Sequence, residues 1–186
     1  MIETATFAGG CFWCTEAIFK RLRGVRSVMP GYSGGTVKDP SYEQVSSGTT
    51  RHAESIQIGF DPEEIPYKVL LEVFWHTHDP TTLNRQGNDI GPQYRSAIFY
   101  HNEKQRVEAI RSRERLEKEN IYKNPIVTEI VPFKNFYDAE DYHKDYYDRN
   151  KEYPYCTIVI DPKIKKLLEK YSKFVKEEYT LLNSKS

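Results

Sequence analysis

The fold is decided near the amino terminus, by the stretch Thr4-Ala5-Thr6-Phe7-Ala8-Gly9-Gly10-Cys11-Phe12-Trp13-Cys14-Thr15-Glu16. A β-prone run leads through two glycines into a helical pattern, in which apolar residues recur at Cys14, Ile18 and Leu22. The pattern predicts a strand, a tight turn and a helix that begins at Cys11. A cysteine at the start of a helix meets unpaired backbone N–H groups and the positive end of the helix dipole, which stabilise a thiolate. Cys11 is therefore a candidate nucleophile.

The rest of the chain alternates between strand and helix patterns. Strands are predicted at residues 25–32, 56–60, 95–100 and 126–131, and helices at 69–77 and 103–118. Aromatic and aliphatic residues recur at helical spacing in 139–147 and 164–175, which favours core packing, whereas 79–93 is a long polar stretch typical of a functional loop. We predict an α+β fold, a two-layer α/β sandwich with a mixed sheet. One catalytic domain spans residues 1–178, and residues 179–186 form a frayed tail.

Composition excludes several classes of protein. Lys plus Arg and Asp plus Glu each number 27 in 186 residues, so the net charge of zero disfavours a nucleic-acid binder. No apolar run approaches the roughly 20 residues of a membrane-spanning helix, and no signal segment is visible. We expect a soluble, cytoplasmic protein with no nucleic-acid or membrane partner.

Three cysteines are too few for a disulfide scaffold, but the Cys11-x-x-Cys14 spacing suggests redox chemistry or a metal. Zinc needs about four ligands, and only Cys156 and scattered histidines remain. His76 and His78 end an apolar helix, where hydrogen bonding to the helix terminus is expected instead of metal binding. A thioredoxin-like redox pair normally follows a longer β-α-β segment than ten residues allow.

Five segments carry a family resemblance. They are GGCFWCTE at 9–16, GYSGG at 31–35, PSYEQV at 40–45, GTTRHAE at 48–54 and RQGNDIGPQYRS at 85–96. Together they resemble, in the same order, the motifs of peptide methionine sulfoxide reductase A, over about residues 4–166. The resemblance implies a ferredoxin-like core. It also implies reduction of the S epimer of methionine sulfoxide, free or in proteins, without a bound cofactor and with electrons from thioredoxin or, in vitro, from dithiothreitol. We expect a monomer.

The resemblance also assigns roles by motif. Cys11 attacks the sulfoxide sulfur, and Phe12 and Trp13 hold the substrate methyl group. Glu54 acts as the acid, and the sulfoxide oxygen is surrounded by Tyr42, Asp89 and Tyr94.

Physical chemistry supports these roles. A sulfoxide oxygen leaves only when protonated, so Glu54 needs a raised pKa that keeps it neutral near pH 7. Phenol donors aimed at the same oxygen stabilise the charge that develops there. The product on Cys11 is a sulfenic acid, which condenses with a second thiol to a disulfide.

The chain departs from the family pattern at three points, two of which concern the thiols that recycle Cys11. Cys14 and Arg51 stand where glycine is frequent, and no glycine-rich cysteine tail follows Cys156. We predict that Cys156, in a Pro-bearing stretch between a predicted helix and a strand, resolves the sulfenic acid. Cys14 and direct reduction by an external thiol remain alternatives. Arg51 is expected to face solvent. The alternative function is a thiol-based redox sensor or metal-binding module without turnover.

Overall fold

The computed structural model describes residues 1–180. Within this range the strands are β1 (Glu3–Gly9), β2 (Val25–Ser33), β3 (Ala53–Phe60), β4 (Arg85–Gln86), β5 (Asp89–Ile90), β6 (Ser96–Tyr100), β7 (Glu129–Pro132) and β8 (Phe136–Asp138). The helices are α1 (Phe12–Phe19), α2 (Tyr42–Ser46), α3 (Tyr67–Thr77), α4 (Glu103–Lys118), α5 (Tyr146–Arg149), α6 (Asp161–Tyr171) and α7 (Glu177–Thr180).

Six strands form one mixed sheet in the order β7-β6-β1-β3-β2-β8. Neighbouring strands are antiparallel except β6 and β7, which are parallel and are joined through α4. The mixed α/β sheet predicted from the sequence is therefore confirmed.

One face of the sheet carries the main core. On β3, Glu54 alternates into the same face as Ile56, Ile58 and Phe60, because side chains two positions apart share a face of a strand. Those three apolar side chains are fully buried in a cluster to which α1, α3, α4 and α6 contribute. Glu54 thus lies at the end of an apolar row beneath helices, an unusual setting for a carboxylic acid.

Several local predictions need correction. The polar stretch 79–93 contains the hairpin β4–β5 and a 3₁₀ turn at Pro92–Tyr94. The stripe at 139–147 is not one helix but a 3₁₀ turn at Asp141–His143 followed by α5, because Asp145 adopts a left-handed conformation with φ of 54° and interrupts it. In the second stripe, α6 ends at Tyr171 and a 3₁₀ turn follows.

The predicted tail begins at Tyr179, which with Thr180 completes α7 and packs against the main core. Residues 181–186 of that tail lie outside the described residues.

Candidate active site

Cys11 lies at the turn between β1 and α1, as predicted. It is the residue before the first helical turn, where its carbonyl oxygen accepts the N–H groups of Cys14 at 3.1 Å and Thr15 at 3.4 Å. Gly10 reaches this turn with φ of +89°, and a Cβ there would stand 2.5 Å from Cγ of Gln86. Glycine is required at this position for two reasons: its backbone conformation is unfavourable for other residues, and the side chain of Gln86 leaves no room for a Cβ.

A small cavity of about 60 Å³ gathers the predicted site residues from five separate segments. It is lined by Cys11, Phe12, Trp13, Tyr42, Glu54, Asp89, Tyr94 and Tyr155. The first seven were all singled out from the sequence. Cys14 and Cys156 do not line the cavity.

Glu54 has the environment that an acid catalyst needs. It is only 3% exposed, and its Oε2 accepts the backbone N–H of Phe12 at 3.0 Å. Burial raises the pKa of Glu54 to about 8, with smaller contributions from the charges of Asp89 and Cys14, while the hydrogen bond from Phe12 opposes them. The side chain is therefore mainly neutral at pH 7, as expected from the sequence.

The Cys11 thiol does not have the lowered pKa that its place at the helix start predicts. Burial raises the pKa of Cys11 well above its ordinary value, and the hydrogen bond with Cys14 and the charge of Glu54 raise it further. The same hydrogen bond lowers the pKa of Cys14 to about 7, helped by the charge of Lys163. At Cys11, desolvation raises the pKa more than the helix dipole lowers it. Of the two thiols, Cys14 is therefore the first to lose its proton, near neutral pH.

The hydroxyl groups around the cavity remain proton donors. Burial, and after it the charge of Glu54, raises the pKa of both Tyr42 and Tyr94. Tyr155 was not singled out, although it directly precedes Cys156. Its hydroxyl donates to Oδ2 of Asp89 at 2.8 Å and lies 3.8 Å from Sγ of Cys14.

Trp13 is held by two residues that the sequence assigned to aromatic core packing. The ring of Tyr146 stacks on it with centroids 3.6 Å apart and an interplanar angle of 6°. The indole Nε1–H donates to Nδ1 of buried His143 at 3.0 Å. Because indole can only donate, Nδ1 is the acceptor and the imidazole is neutral, which agrees with the lowering of its pKa by burial.

A second support, also missed from the sequence, fixes Tyr42. Oε2 of Glu140 accepts the backbone N–H of Tyr42 at 3.1 Å, and Oε1 accepts the hydroxyl of Tyr32 at 3.0 Å. Burial raises the pKa of Glu140, but these hydrogen bonds outweigh it and hold the pKa below its ordinary value. A charged carboxylate thus ties α2 to the sheet.

Cys156 is fully buried and begins a π-helical turn, Cys156–Ile160, that continues into α6. The strand expected after it is therefore wrong, and the segment is helical. Cys156 shares one apolar cluster with Cys11 and Cys14, and all three cysteines are free thiols. Burial raises the pKa of Cys156.

The other polar candidates have structural roles. Nδ1 of His78 bonds the carbonyl of Phe74 at 2.6 Å and Nε2 bonds Oγ of Ser96 at 2.8 Å, while Nδ1 of His76 bonds the carbonyl of Glu72 at 2.8 Å. This confirms their hydrogen-bonding interpretation. Arg51 is exposed, as predicted. Within residues 1–180, no three or more His, Cys, Asp or Glu side chains are grouped so as to hold a metal ion.

With this geometry in hand, comparisons with known proteins identify the family. A family profile described as "Peptide methionine sulfoxide reductase" matches residues 3–176. The chain belongs to this family. A peptide methionine sulfoxide reductase from Sulfolobus acidocaldarius is 57% identical over 170 residues, which cover 91% of this chain and 96% of the relative.

Solved structures of the family agree with the fold. The reduced form of Mxr1 from Saccharomyces cerevisiae has a TM-score of 0.78 and 37% identity, covering 83% of this chain and 89% of that one. Mxr1 in complex with Trx2 has a TM-score of 0.56 and 28% identity, covering 78% of this chain and 84% of that one. As a peptide methionine sulfoxide reductase, the chain is a thiol-dependent oxidoreductase. No helix in its described part is long and apolar enough to cross a membrane.

Proposed function

We propose that this chain reduces the S epimer of methionine sulfoxide, free or within oxidised proteins, at the cavity around Cys11. One observation carries the proposal: a buried thiol, a carboxylic acid with a pKa of about 8 and two protonated phenols line the same 60 Å³ space. That set matches a reaction in which a nucleophile attacks sulfur while an acid protonates the departing oxygen. The choice of epimer follows from the family resemblance.

In the proposed step, the substrate methyl group lies between Phe12 and Trp13. Cys11 attacks the sulfoxide sulfur as its thiol proton is released to water. Glu54 delivers its proton to the sulfoxide oxygen. A bond between Sγ of Cys11 and the substrate sulfur forms as the S–O bond breaks and hydroxide leaves. Hydroxide then attacks Sγ of Cys11 and breaks the S–S bond, so methionine leaves with two more electrons on its sulfur and Cys11 becomes a sulfenic acid.

Three further residues act on the oxygen. Tyr42 and Tyr94 donate hydrogen bonds as charge develops on it, and Asp89 orients the group or a bridging water. The hydroxyl of Tyr155 holds Asp89 in place at 2.8 Å.

Recycling is proposed to run through Cys156. Its thiol attacks the sulfenic sulfur of Cys11, water leaves, and the resulting disulfide is reduced by the two thiols of thioredoxin. Two observations support this: Cys156 shares an apolar cluster with Cys11, and a related structure is a complex with Trx2. Cys14 is the alternative resolving thiol, since it lies three residues from Cys11 at the start of α1 and shares the same apolar cluster.

The activity is tested by separate assays of the two epimers of dabsylated methionine sulfoxide with dithiothreitol as reductant. We expect turnover of the S epimer, and its loss in Cys11→Ser, because a hydroxyl without an adjacent base is a far weaker nucleophile. Cys14→Ser is the matched control and should retain activity with dithiothreitol. A wild-type protein with no turnover of either epimer would favour the redox-sensor alternative.

The resolving thiol is tested by adding stoichiometric sulfoxide without reductant and mapping the disulfide by mass spectrometry. A Cys11–Cys156 linkage is expected as the first product. A first-formed Cys11–Cys14 linkage would reverse the assignment.

The remaining proposals concern the whole chain. A single catalytic domain over residues 1–178 without a bound cofactor is supported by a cavity whose residues span 11–155. All residues that line this cavity come from one chain, which supports a monomer. Light scattering would test the oligomeric state. Three free thiols fit a reducing cytoplasm. A ferredoxin-like core is supported by the β1-α1-β2-β3-α3-β6 connection with antiparallel strand order β6-β1-β3-β2.

A further inference from the structure

The catalytic cavity continues into a groove on the protein surface. A second cavity, of about 380 Å³, shares Cys11, Asp89 and Tyr155 with the first. A third, of about 540 Å³, shares Gln86, Pro162 and Lys163 with the second. Their shared residues place the three cavities side by side, and we call their combined lining the lysine groove. It runs from the catalytic thiol between the β4–β5 hairpin and the start of α6.

The part of the lysine groove nearest to Cys11 has an apolar wall and a polar wall. The apolar wall is formed by Ile158, Val159 and Pro162, and Ile158 is 72% exposed. The polar wall is the hairpin tip, residues 86–88. Adjacent apolar side chains that are rimmed by polar groups are typical of surfaces that bind polypeptide.

The far part of the lysine groove carries a net positive charge. Lys123, Lys163 and Lys166 line it together with one acidic residue, Asp79. No lysine of these three forms a salt bridge within residues 1–180. The neighbouring lysines Lys170 and Lys163 help to lower the pKa of Lys166, after burial, which shows that positive charges crowd here.

The two histidines of this part do not add to the charge. Burial lowers the pKa of His76, and it lowers the pKa of His78 to about 4. The charge of Lys163 contributes to the lowered pKa values of both His78 and Cys14. Lys163 therefore lies between the charged end of the groove and the catalytic thiols, and a ligand in the groove would span both.

We propose that the lysine groove seats an extended polypeptide on one side of the methionine sulfoxide and that its lysines select substrates with acidic residues on that side. This rests on the proposed function. The cavity around Cys11, of about 60 Å³, has no room for residues that flank the methionine sulfoxide, so we expect the groove to act only when the substrate is a peptide. The partner that matches the charge is an acidic segment of an oxidised protein.

The test compares kcat/KM for peptides that share a central methionine sulfoxide and carry either two Asp or two Lys residues, on its amino-terminal or its carboxyl-terminal side. Dithiothreitol is the reductant, and free methionine sulfoxide is the reference. Each exposed ion pair contributes about 1.5- to 5-fold. At low ionic strength we expect at least one acidic peptide to exceed its lysine counterpart by about three- to tenfold, and 0.5 M salt to reduce this ratio.

The matched variants are Lys166→Glu and Lys165→Glu. Both change the charge of an exposed lysine on α6 in the same way, but Lys165 lies outside the lysine groove and is 3.9 Å from Glu169. Lys166→Glu should lower the acidic-to-basic ratio at least twofold and leave free methionine sulfoxide turnover unchanged, whereas Lys165→Glu should leave the ratio unchanged. Lys123→Glu, which changes another lysine of the far part, should act like Lys166→Glu.

Three outcomes would overturn the proposal: equal rates for acidic and basic peptides, equal losses in both α6 variants, or an effect of Lys166→Glu that appears only with thioredoxin as reductant. The last would assign the groove to the reductant. A wild-type protein that does not reduce free methionine sulfoxide at all is a different result, which would refute the proposed function itself.

Discussion

Glu54→Gln is expected to inactivate the protein and at the same time to stabilise it. Glutamine keeps the size of the side chain and an oxygen for the N–H of Phe12, but it cannot deliver a proton. The loss of general acid catalysis is worth roughly 10²-fold or more in kcat. Stability should change in the opposite direction, because the buried carboxyl group opposes folding whenever the unfolded chain would ionise it.

The magnitude follows from the two pKa values of Glu54. An unfolded chain releases this proton near the ordinary value of 4.5, whereas the folded protein keeps it until about pH 8. Since the folded pKa is the higher one, the stability contributed by the neutral acid is complete below pH 4.5 and is lost as the pH rises towards 8. At pH 7 the loss is about 3 kcal/mol, and above pH 8 it reaches about 5 kcal/mol.

Urea unfolding of wild type and Glu54→Gln at pH 5, 7 and 9 measures this effect. The free energy of unfolding of the variant should exceed that of wild type by an amount that grows with pH. Glu117→Gln, which changes an exposed residue of α4, serves as the control for loss of a carboxylate. A constant difference between pH 5 and 9, together with wild-type turnover by the variant at pH 7, would refute the assignment of Glu54 as a neutral acid.

Four further substitutions test the turn, the backbone and the hydroxyl network. Gly10→Ala should lower the free energy of unfolding by about 2–4 kcal/mol, because it adds a clash with the overlying glutamine to the strain at φ +89°. Gly87→Ala, also at positive φ but with open space around it, should cost only about 1 kcal/mol; equal losses in urea melts would contradict the packing argument. Arg51→Gly should raise Tm by about 1–4 °C in calorimetry, since Arg51 has φ of 61°, and a lower Tm would show that its side chain stabilises the loop. Tyr155→Phe removes the hydroxyl that donates to Asp89 and should lower kcat/KM about tenfold. Unchanged activity would show that this hydroxyl has no role in the reaction.

Local patterns predicted the regular elements well where periodicity was strong. The charged helix at residues 103–118 has those bounds in the structure, and the strand predicted at 25–32 extends over Val25–Ser33. The short hairpin β4–β5 was missed because two-residue strands carry no periodicity. The stripe at 139–147 failed as a helix because Asp145 takes a left-handed conformation, which composition does not reveal.

The site was predicted more completely than the environment that tunes it. Seven cavity residues came from motifs, but their supports, Glu140 and His143, lie in the irregular segment whose path only tertiary packing fixes. The error at Cys11 has the same origin. A sequence shows that a thiol begins a helix, but it does not show how far burial removes that thiol from water.

In the proposed reaction, the hydrogen bond from Phe12 to Glu54 changes in strength. In the resting protein it joins a neutral acid to the amino-terminal end of α1, an interaction of ordinary strength. Once the proton has left, the same N–H faces a full negative charge, and a charge-assisted hydrogen bond is about twice as strong. The contact therefore favours the transition state over the ground state without any movement of the protein. The backbone N–H of Phe12 thus stabilises the negative charge on Glu54 until Glu54 takes a proton from water before the next substrate.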